Sequence, residues 1–191
     1  TGTVLLVPRT AGLAINVGGS DVDGTTLGIA TGELNRITAN TVQIGDANSG
    51  NITISAPLQP TTYVVLALGH DTSFVATGGF HATIGSTVDS YTRMTVTGTV
   101  SIDSSATLAF TGSYTPTPAD GFILIDNDGG EAITGAFSGF PESATLALNS
   151  VPLNVGYLGR SGNDLVLGNN APTISDVGDT TINQNGSTEP M

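Results

Sequence analysis

Residues 41–60 read TVQIGDANSGNITISAPLQP, and this stretch decides the fold class. In TVQI (41–44) and ITIS (52–55), apolar and polar residues alternate, as they do in half-buried strands. The segment between them, DANSGN (46–51), has the Asp, Asn and Gly residues that favour turns. Two strands joined in this way fit either a β-hairpin or two successive sides of a β-solenoid coil, and the pattern leaves both open.

The rest of the chain continues this pattern of short strands and turns. It has 191 residues, 26 of them glycine, and only 10% are charged, compared with about 25% in ordinary soluble domains. So few charges cannot supply the ion pairs that stabilise exposed helices. A single helical turn is expected in TGELNRIT (31–38), where Leu34 and Ile37 share a face. We therefore predict an all-β protein, although no strict repeat period is visible.

The charge balance excludes several classes of partner. There are 16 acidic residues against four basic ones, which gives a formal net charge of −12. Nucleic acids and anionic membranes attract clusters of Lys and Arg, so neither is an expected partner. The chain has no cysteine, which excludes disulfides, thiolate metal sites and cysteine nucleophiles. No apolar run approaches the roughly 18–20 residues of a membrane span.

The composition suggests three regions, and the chain reads as a segment of something longer. We expect solenoid-like strands in 1–60, a β-rich solenoid end or sandwich in 61–168, and a linker or docking strand in 169–191. The last region begins NNAP and contains ISDVGDTTI (174–182), which is typical of a detached strand or of a new β module.

Several strings resemble, as a group, a segment of giant bacterial secreted proteins of the haemagglutinin and autotransporter type. They are TGTVLLVPRTAGLAINVGGSD (1–21), GELNRITANTVQIGDANSGNITISAPL (32–58), VTGTVSIDSSATLAF (96–110), FILIDNDGGEAITGAFSGFPESATL (122–146) and VGYLGRSGNDLVL (155–167). The tail, APTISDVGDTTINQNGS (171–187), resembles the opening of a cadherin-like or immunoglobulin-like repeat. Residues 61–95 depart from the family pattern, so a specialised contact would lie there.

The resemblance implies a right-handed β-solenoid-like stack with a sandwich-like or capping C-terminal part; the alternative is a β-sandwich throughout. It also implies a non-enzymatic, secreted adhesin or scaffold at the bacterial surface or in the extracellular matrix. Its partners would be neighbouring copies, adjacent modules, or a surface carbohydrate or protein. Two alternatives stay open: an extracellular filament subunit whose tail completes a neighbour's sheet by strand addition, and a carbohydrate-active β-helix enzyme.

Calcium is the one cofactor that the acidic loops suggest, and no other cofactor is expected. The stretch IDNDGGE (125–131) fails as an EF-hand loop, because counting from Asp126 places Gly130, Glu131 and Phe137 at positions 5, 6 and 12. A hairpin turn between two strands is the favoured interpretation, with Asp126 and Glu131 facing solvent. GRSGNDLVL (159–167) resembles one unit of a calcium-binding nonapeptide repeat, but only one copy exists. The calcium candidates are Asp21 and Asp23 in the loop SDVDG (20–24), Asp126 and Asp128 in IDNDGGE, and Asp164 in GRSGNDLVL.

No catalytic residue is predicted. The two histidines are His70 and His81, and His70 precedes Asp71 on an extended segment, where neighbouring side chains point to opposite faces. Neither G-x-S-x-G nor H-E-x-x-H occurs. The threonines of TRMTVTGTV (92–100) suggest an ice-binding array, but strand formation is the stronger explanation because adjacent segments do not repeat them.

Overall fold

The structure is a computed structural model, which describes residues 2–20, 22, 24–61, 64–128, 130–160 and 162–168. These residues form 17 strands and one helical turn. In chain order the elements are β1 Thr3–Leu6, β2 Ala14–Val17, β3 Thr26–Ile29, α1 Thr31–Leu34, β4 Thr41–Ile44, β5 Ile52–Ile54, β6 Pro57–Leu58, β7 Val65–Leu68, β8 Thr72–Phe74, β9 Gly79–Ile84, β10 Arg93–Val96, β11 Val100–Ile102, β12 Thr107–Gly112, β13 Gly121–Asn127, β14 Thr134–Gly135, β15 Thr145–Leu148, β16 Val151–Gly159 and β17 Asp164–Gly168.

The strands form three sheets, and the chain passes from one sheet to the next and back again. Sheet A has the order β1-β4-β7-β10-β13-β17-β16-β15, sheet B the order β14-β11-β8-β5-β2-β3, and sheet C the order β12-β9-β6. All pairs among β1 to β14 are parallel. The all-β prediction is confirmed, and the alternative of a sandwich throughout is wrong, since sandwiches are built from antiparallel strands.

The stretch 41–60 supplies one strand to each of the three sheets. Its strands β4 and β5 lie in sheets A and B, and β6 lies in sheet C. They are therefore successive sides of one coil, which decides between the two interpretations of this stretch. The predicted alternation is confirmed: Val42, Ile44, Ile52 and Ile54 are buried, whereas their neighbours in the strands are half-buried.

Coils of unequal length explain why the sequence shows no repeat period. Thr41 stacks on Val65, and Val65 on Arg93, so successive coils are 24 and 28 residues long in sheet A. In sheet B, Ile52, Thr72 and Val100 stack with spacings of 20 and 28 residues. The differences in coil length lie in the turns, and the strands stay in register.

The core is made of ladders of side chains that point inward at matched positions. One ladder in sheet A runs through Val42, Leu66, Met94 and Ile125, all fully buried. The next ladder consists of three apolar residues, Ile44, Leu68 and Val96, followed by the buried polar residue Asn127. Burying one aliphatic side chain stabilises a fold by about 1.5–3 kcal/mol, so these ladders hold the coils together.

Glycine is required where two coils meet at the corner between sheets A and B. Gly45 follows β4 with a φ of +75°, which side chains disfavour. Gly69 occupies the equivalent place in the next coil, and a Cβ there would lie 2.3 Å from the Gly45 carbonyl oxygen. The backbones approach so closely at Gly69 that a side chain has no space there, whereas Gly45 is favoured by its positive φ.

The N-terminal end of the stack is covered by β3 and α1. After β2 the chain turns back, and β3 pairs on the outer side of β2. The predicted helical turn is confirmed as α1, whose Leu34 is buried in the core. The Glu33 carboxylate accepts the Ala30 N–H at 2.9 Å, which satisfies one of the free donors at the start of the turn.

The C-terminal end is covered by an antiparallel ribbon. β17 pairs with β13 in the opposite direction, and β16 and β15 continue the ribbon. Leu146, Leu148, Leu153 and Val155 are buried beneath it. The expected boundary at residue 60 falls between β6 and β7, and sheet A continues across it. The third predicted region, 169–191, lies outside the described residues.

Candidate functional site

The acidic stretch IDNDGGE forms a corner of the stack, and the predicted hairpin is wrong. β13 ends at Asn127, and the next strand, β14, belongs to sheet B. The antiparallel partner of β13 is β17, which comes 37 residues later. A strand can form a hairpin with the next strand only if one of its edges is free. The two edges of β13 are paired with β10 and β17, so β13 cannot pair with β14. Glu131 is exposed and the Asp126 side chain is 41% exposed, as predicted.

A buried polar network ties this corner to the C-terminal ribbon. The Asp164 carboxylate accepts the Asn127 backbone N–H at 3.0 Å. The Asn163 side-chain amide donates to the Asn127 carbonyl oxygen at 3.1 Å. The Asn127 side chain donates to the Glu131 carbonyl oxygen at 2.9 Å. Asn127, Asn163 and Asp164 are each at most 3% exposed, so these hydrogen bonds replace ones to water that the groups have lost. The exception is the Asn127 Oδ1 oxygen, which is buried without a hydrogen-bond partner in the described part of the chain.

The calcium candidates take part in separate interactions. Asp126 forms an ion pair with Arg160 at 3.1 Å, Asp128 accepts the Gly98 N–H at 3.1 Å, and Asp164 belongs to the buried network. Asp21 and Asp23 lie outside the described residues. Among the residues that are described, no three His, Cys, Asp or Glu side chains come together as a group that could hold a metal ion. The predicted turn in GRSGNDLVL is present: it contains Gly162 at φ +101° and leads into β17.

Aspartates stabilise the corner between β10 and β11 from both sides. The Asp71 carboxylate, from the preceding coil, accepts the Thr99 N–H at 2.7 Å. The Asp128 carboxylate, from the following coil, accepts the neighbouring Gly98 N–H. The Thr99 N–H is the main reason why the pKa of Asp71 lies below its ordinary value, and the nearby His70 charge contributes less. These carboxylates act as structural acceptors for N–H groups that no strand pairs.

The two histidines lie in different parts of the coil. His70 is at the corner between β7 and β8, and its buried Nδ1 has no hydrogen-bond partner in the described part of the chain. His81 lies in β9, where its Nε2 is 3.2 Å from the Thr107 hydroxyl. Asp71, the acid next to His70, is bonded to Thr99.

The threonines of β10 do not continue into the adjacent coils. Thr95 stacks on Ala67 in one direction and on Asp126 in the other. Thr92 is 9% exposed, and its hydroxyl oxygen accepts the Thr83 N–H at 2.7 Å. At these positions the flat threonine surface of an ice-binding array is absent.

The open edge of sheet A carries an apolar groove that the sequence pattern did not indicate. β1 pairs only with β4, so its other side is free of strand partners among the described residues. Beside it lies a groove of about 390 Å³, lined by Leu5, Leu6, Val7, Leu27, Ile29, Glu33 and Ile37. Leu5 is 52% exposed and Val7 39%. We call this the β1 groove.

A second groove, of about 500 Å³, lies where the strands of sheet A begin. It is lined by Gln59, Pro60, Thr61, Val64, Thr83, Gly85, Ser90, Tyr91 and Thr92, and we call it the corner groove. Most of these residues lie in or beside segment 61–95, where a specialised contact is predicted. No local pattern in the sequence indicates the groove itself, because its lining residues come from three different turns of the chain.

Comparisons with known proteins add no relative. No family model, no curated protein and no solved structure matches this chain. Within the described residues, no helix is long and apolar enough to cross a membrane.

Proposed function

We propose that this chain is a non-enzymatic structural segment of a secreted bacterial surface or matrix protein, serving as an adhesin or scaffold. The observation that supports this best is that several of its aspartates accept hydrogen bonds from backbone N–H groups. Asp71, Asp128 and Asp164 accept backbone N–H groups at corners and at the C-terminal ribbon, so these carboxylates have structural roles. Apolar ladders and N–H acceptors are what a stack needs in order to stay rigid.

The scaffold proposal includes a right-handed coil. Crossovers between parallel strands of one sheet are right-handed in about 98% of known cases, because the twist of the strands favours that sense. β4 and β7, and β7 and β10, are parallel neighbours in sheet A joined by crossover connections, and we propose that these connections have the right-handed sense. An experimental structure in which the chain coils to the left would contradict this part of the proposal.

A test of the function combines activity and binding. The purified chain is incubated with a panel of bacterial and plant polysaccharides, with and without calcium, and the release of reducing ends is measured. We expect no release, whereas beads coated with the chain should be retained on bacterial cells or on one of the polysaccharides. Reproducible cleavage of any polysaccharide would overturn the non-enzymatic assignment and favour the β-helix enzyme.

Calcium can be tested separately. Of the candidates that the structure describes, Asp126 is partly exposed and Asp128 is exposed, and both already have partners. We propose that the fold does not depend on calcium, so the melting temperature should be the same in excess calcium and in excess chelator. A chelator-dependent drop in melting temperature would instead favour a calcium-dependent adhesin.

The second candidate is a subunit of an extracellular filament, and it is favoured by the edge of β1 that has no strand partner among the described residues. An unpaired strand beside exposed apolar side chains is a site where another strand can be added. The added strand would come from residues 171–189 of a neighbouring copy. Deleting 171–191 and replacing Leu5 by Lys should each abolish filaments seen by electron microscopy, with Val75→Lys as the exposed control. Unchanged assembly in both variants would exclude this candidate.

A further inference from the structure

We propose that the corner groove binds a short stretch of an uncharged polysaccharide. This site rests on the adhesin function proposed above, and it is the place where the adhesin holds its ligand. Three features of the groove support it: the unequal corners that form it, the hydrogen bonds that fix one wall, and a described lining without charge. Its volume of about 500 Å³ lies within the range of about 300–1,000 Å³ that is typical of ligand sites.

The groove lies between two corners of unequal length, where the chain passes from sheet C to sheet A. The separation between stacked positions is 8 residues in the first coil (Leu58 to Leu66), 14 in the next (Phe80 to Met94) and 17 in the third (Leu108 to Ile125). The second corner includes the loop 85–90, and both ends of this loop line the groove. The recess between the shorter and the longer corner is therefore the corner groove.

The wall formed by residues 83–92 is held by its own hydrogen bonds. The Thr92 N–H donates to the Thr83 carbonyl oxygen at 2.9 Å, and the Thr83 N–H donates to the Thr92 hydroxyl oxygen at 2.7 Å. The Gly85 N–H donates to the Ser90 carbonyl oxygen, which closes the loop. The Ser113 hydroxyl, from the third corner, donates to the Gly85 carbonyl oxygen at 2.9 Å. A wall that is already ordered loses little conformational entropy when a ligand binds.

Tyr91 gives this wall a fixed aromatic surface. Its hydroxyl oxygen accepts the Ile123 N–H at 3.1 Å, and its ring packs edge-on against Phe122 with the ring centres 5.5 Å apart. Val64, which is 41% exposed, adds an aliphatic surface to the same groove. Apolar surfaces next to polar groups suit a sugar ring, because its C–H groups are apolar and its hydroxyls are polar.

The polar groups of the lining suit a ligand that carries hydroxyls. Gln59, Thr61 and Ser90 are exposed, so their amide and hydroxyl groups can reach a ligand. Amides and hydroxyls both donate and accept hydrogen bonds, as sugar hydroxyls do. The charged residues nearest to the lining in the sequence, Asp89 and Arg93, do not belong to it, and none of the described lining residues is charged. A charged ligand would lose hydration there without gaining a charged partner.

A peptide fits the groove less well than a polysaccharide. Extended peptides are commonly bound by addition to an unpaired strand edge. Of the four described strands next to the lining, β7, β9 and β10 are each paired on both sides. The fourth, β6, has only the two residues Pro57 and Leu58, and proline has no N–H to donate. Recognition in this groove therefore depends on side chains.

The test is native electrophoresis of the whole chain through gels that each contain one polymer. The uncharged polysaccharides are dextran, galactomannan and xyloglucan, the acidic ones are alginate and polygalacturonate, and gelatin represents a polypeptide. The net charge of −12 drives the chain through the gel, and binding to the polymer slows it. Dissociation constants follow from the mobility at increasing polymer concentrations.

Two variants change the groove, and each has a matched control. Gln59→Leu removes the exposed amide at similar size, and Ser90→Trp fills the groove. Gln43→Leu makes the same change on the outer face of sheet A, and Ser101→Trp makes it on the exposed face of sheet B. The melting temperature of each variant shows whether it is folded.

We expect at least one uncharged polysaccharide to slow the wild type. Gln59→Leu should weaken that binding by about two- to tenfold, which corresponds to the loss of one hydrogen bond. Ser90→Trp should abolish the retardation, and both controls should bind like the wild type. Equal retardation of Ser90→Trp and the wild type would overturn the proposal. Retardation by the acidic polysaccharides or by gelatin alone would also overturn it.

Failure of this site and failure of the proposed function can be told apart. No retardation in any gel, combined with retention of coated beads on bacterial cells, would overturn the site and leave the adhesin function in place. Retardation that Ser90→Trp abolishes, combined with the release of reducing ends, would support the groove as a binding site and overturn the non-enzymatic assignment.

Discussion

The Asp164 carboxylate, 1% exposed, accepts the Asn127 N–H at 3.0 Å, although 37 residues separate the two positions. Asn127 stands where the apolar ladder Ile44, Leu68, Val96 would continue. At this position the stack changes from parallel coils to the antiparallel ribbon. The polar pair therefore fixes the register between the last coil and the ribbon that covers it.

Replacing Asp164 by Ala should destabilise the fold by about 1–3 kcal/mol. The Asn127 N–H would stay buried with no acceptor, and such a group loses its full hydration energy. The matched control is Asp164→Asn, which keeps an oxygen at the same place and should cost less. The free energy of unfolding in urea measures both, and an alanine variant no less stable than the asparagine variant would contradict the assigned role of the carboxylate.

Replacing Tyr157 by Phe should also destabilise the fold by about 1–3 kcal/mol. The Tyr157 hydroxyl accepts the Phe137 N–H at 2.9 Å and donates to the Phe140 carbonyl oxygen at 2.9 Å. Phe137 is 2% exposed, so its N–H has no route to water. Burial raises the pKa of Tyr157. Tyr91→Phe removes a hydroxyl from a half-buried site and serves as the comparison; equal stability of wild type and Tyr157→Phe would refute the prediction.

The surface pair Arg160–Asp126 should contribute little. The two side chains are 55% and 41% exposed, and exposed ion pairs typically contribute less than about 1 kcal/mol. Arg160 also has a φ of +48°, which glycine adopts more easily. Arg160→Ala should therefore lower the melting temperature slightly, and Arg160→Gly should be at least as stable as Arg160→Ala. A large loss for both variants would show that the side chain contributes more than an exposed ion pair does, and an Arg160→Gly variant less stable than Arg160→Ala would contradict the argument from the positive φ.

Asp71 should make the stability depend on pH in the acid range. Its folded pKa lies below the ordinary value of 3.8, chiefly because of the Thr99 N–H. A carboxyl with a lowered folded pKa stabilises the fold at every pH above its unfolded pKa, and the effect is lost as the pH falls through the folded pKa.

The variant Asp71→Asn should thus be less stable than the wild type at neutral pH, and the difference should shrink below about pH 4. Urea unfolding across a pH series tests this, with Asp89→Asn on an exposed turn as the control. A constant difference from neutral to acid pH would rule out ionisation of Asp71 as the cause.

The half-buried strands were predictable because alternation is a local property. TVQI and ITIS follow the pleat of a strand whatever their partners are, and the turn at 31–38 depends on Leu34 and nearby residues. The hairpin assigned to IDNDGGE failed because pairing is not local. Whether β13 bonds to the next strand or to β10 and β17 depends on which edges are free in the assembled stack.

The sequence by itself determined an acidic, cysteine-free, all-β chain with strands at definite places, because composition and period-two alternation act residue by residue. Only the tertiary structure decided that those strands stack in parallel, that Asn127 faces Asp164, and that Asp71 and Asp128 accept adjacent N–H groups at one corner. Coils of 20 to 38 residues bring distant segments into register, and no local pattern indicates which segments those are.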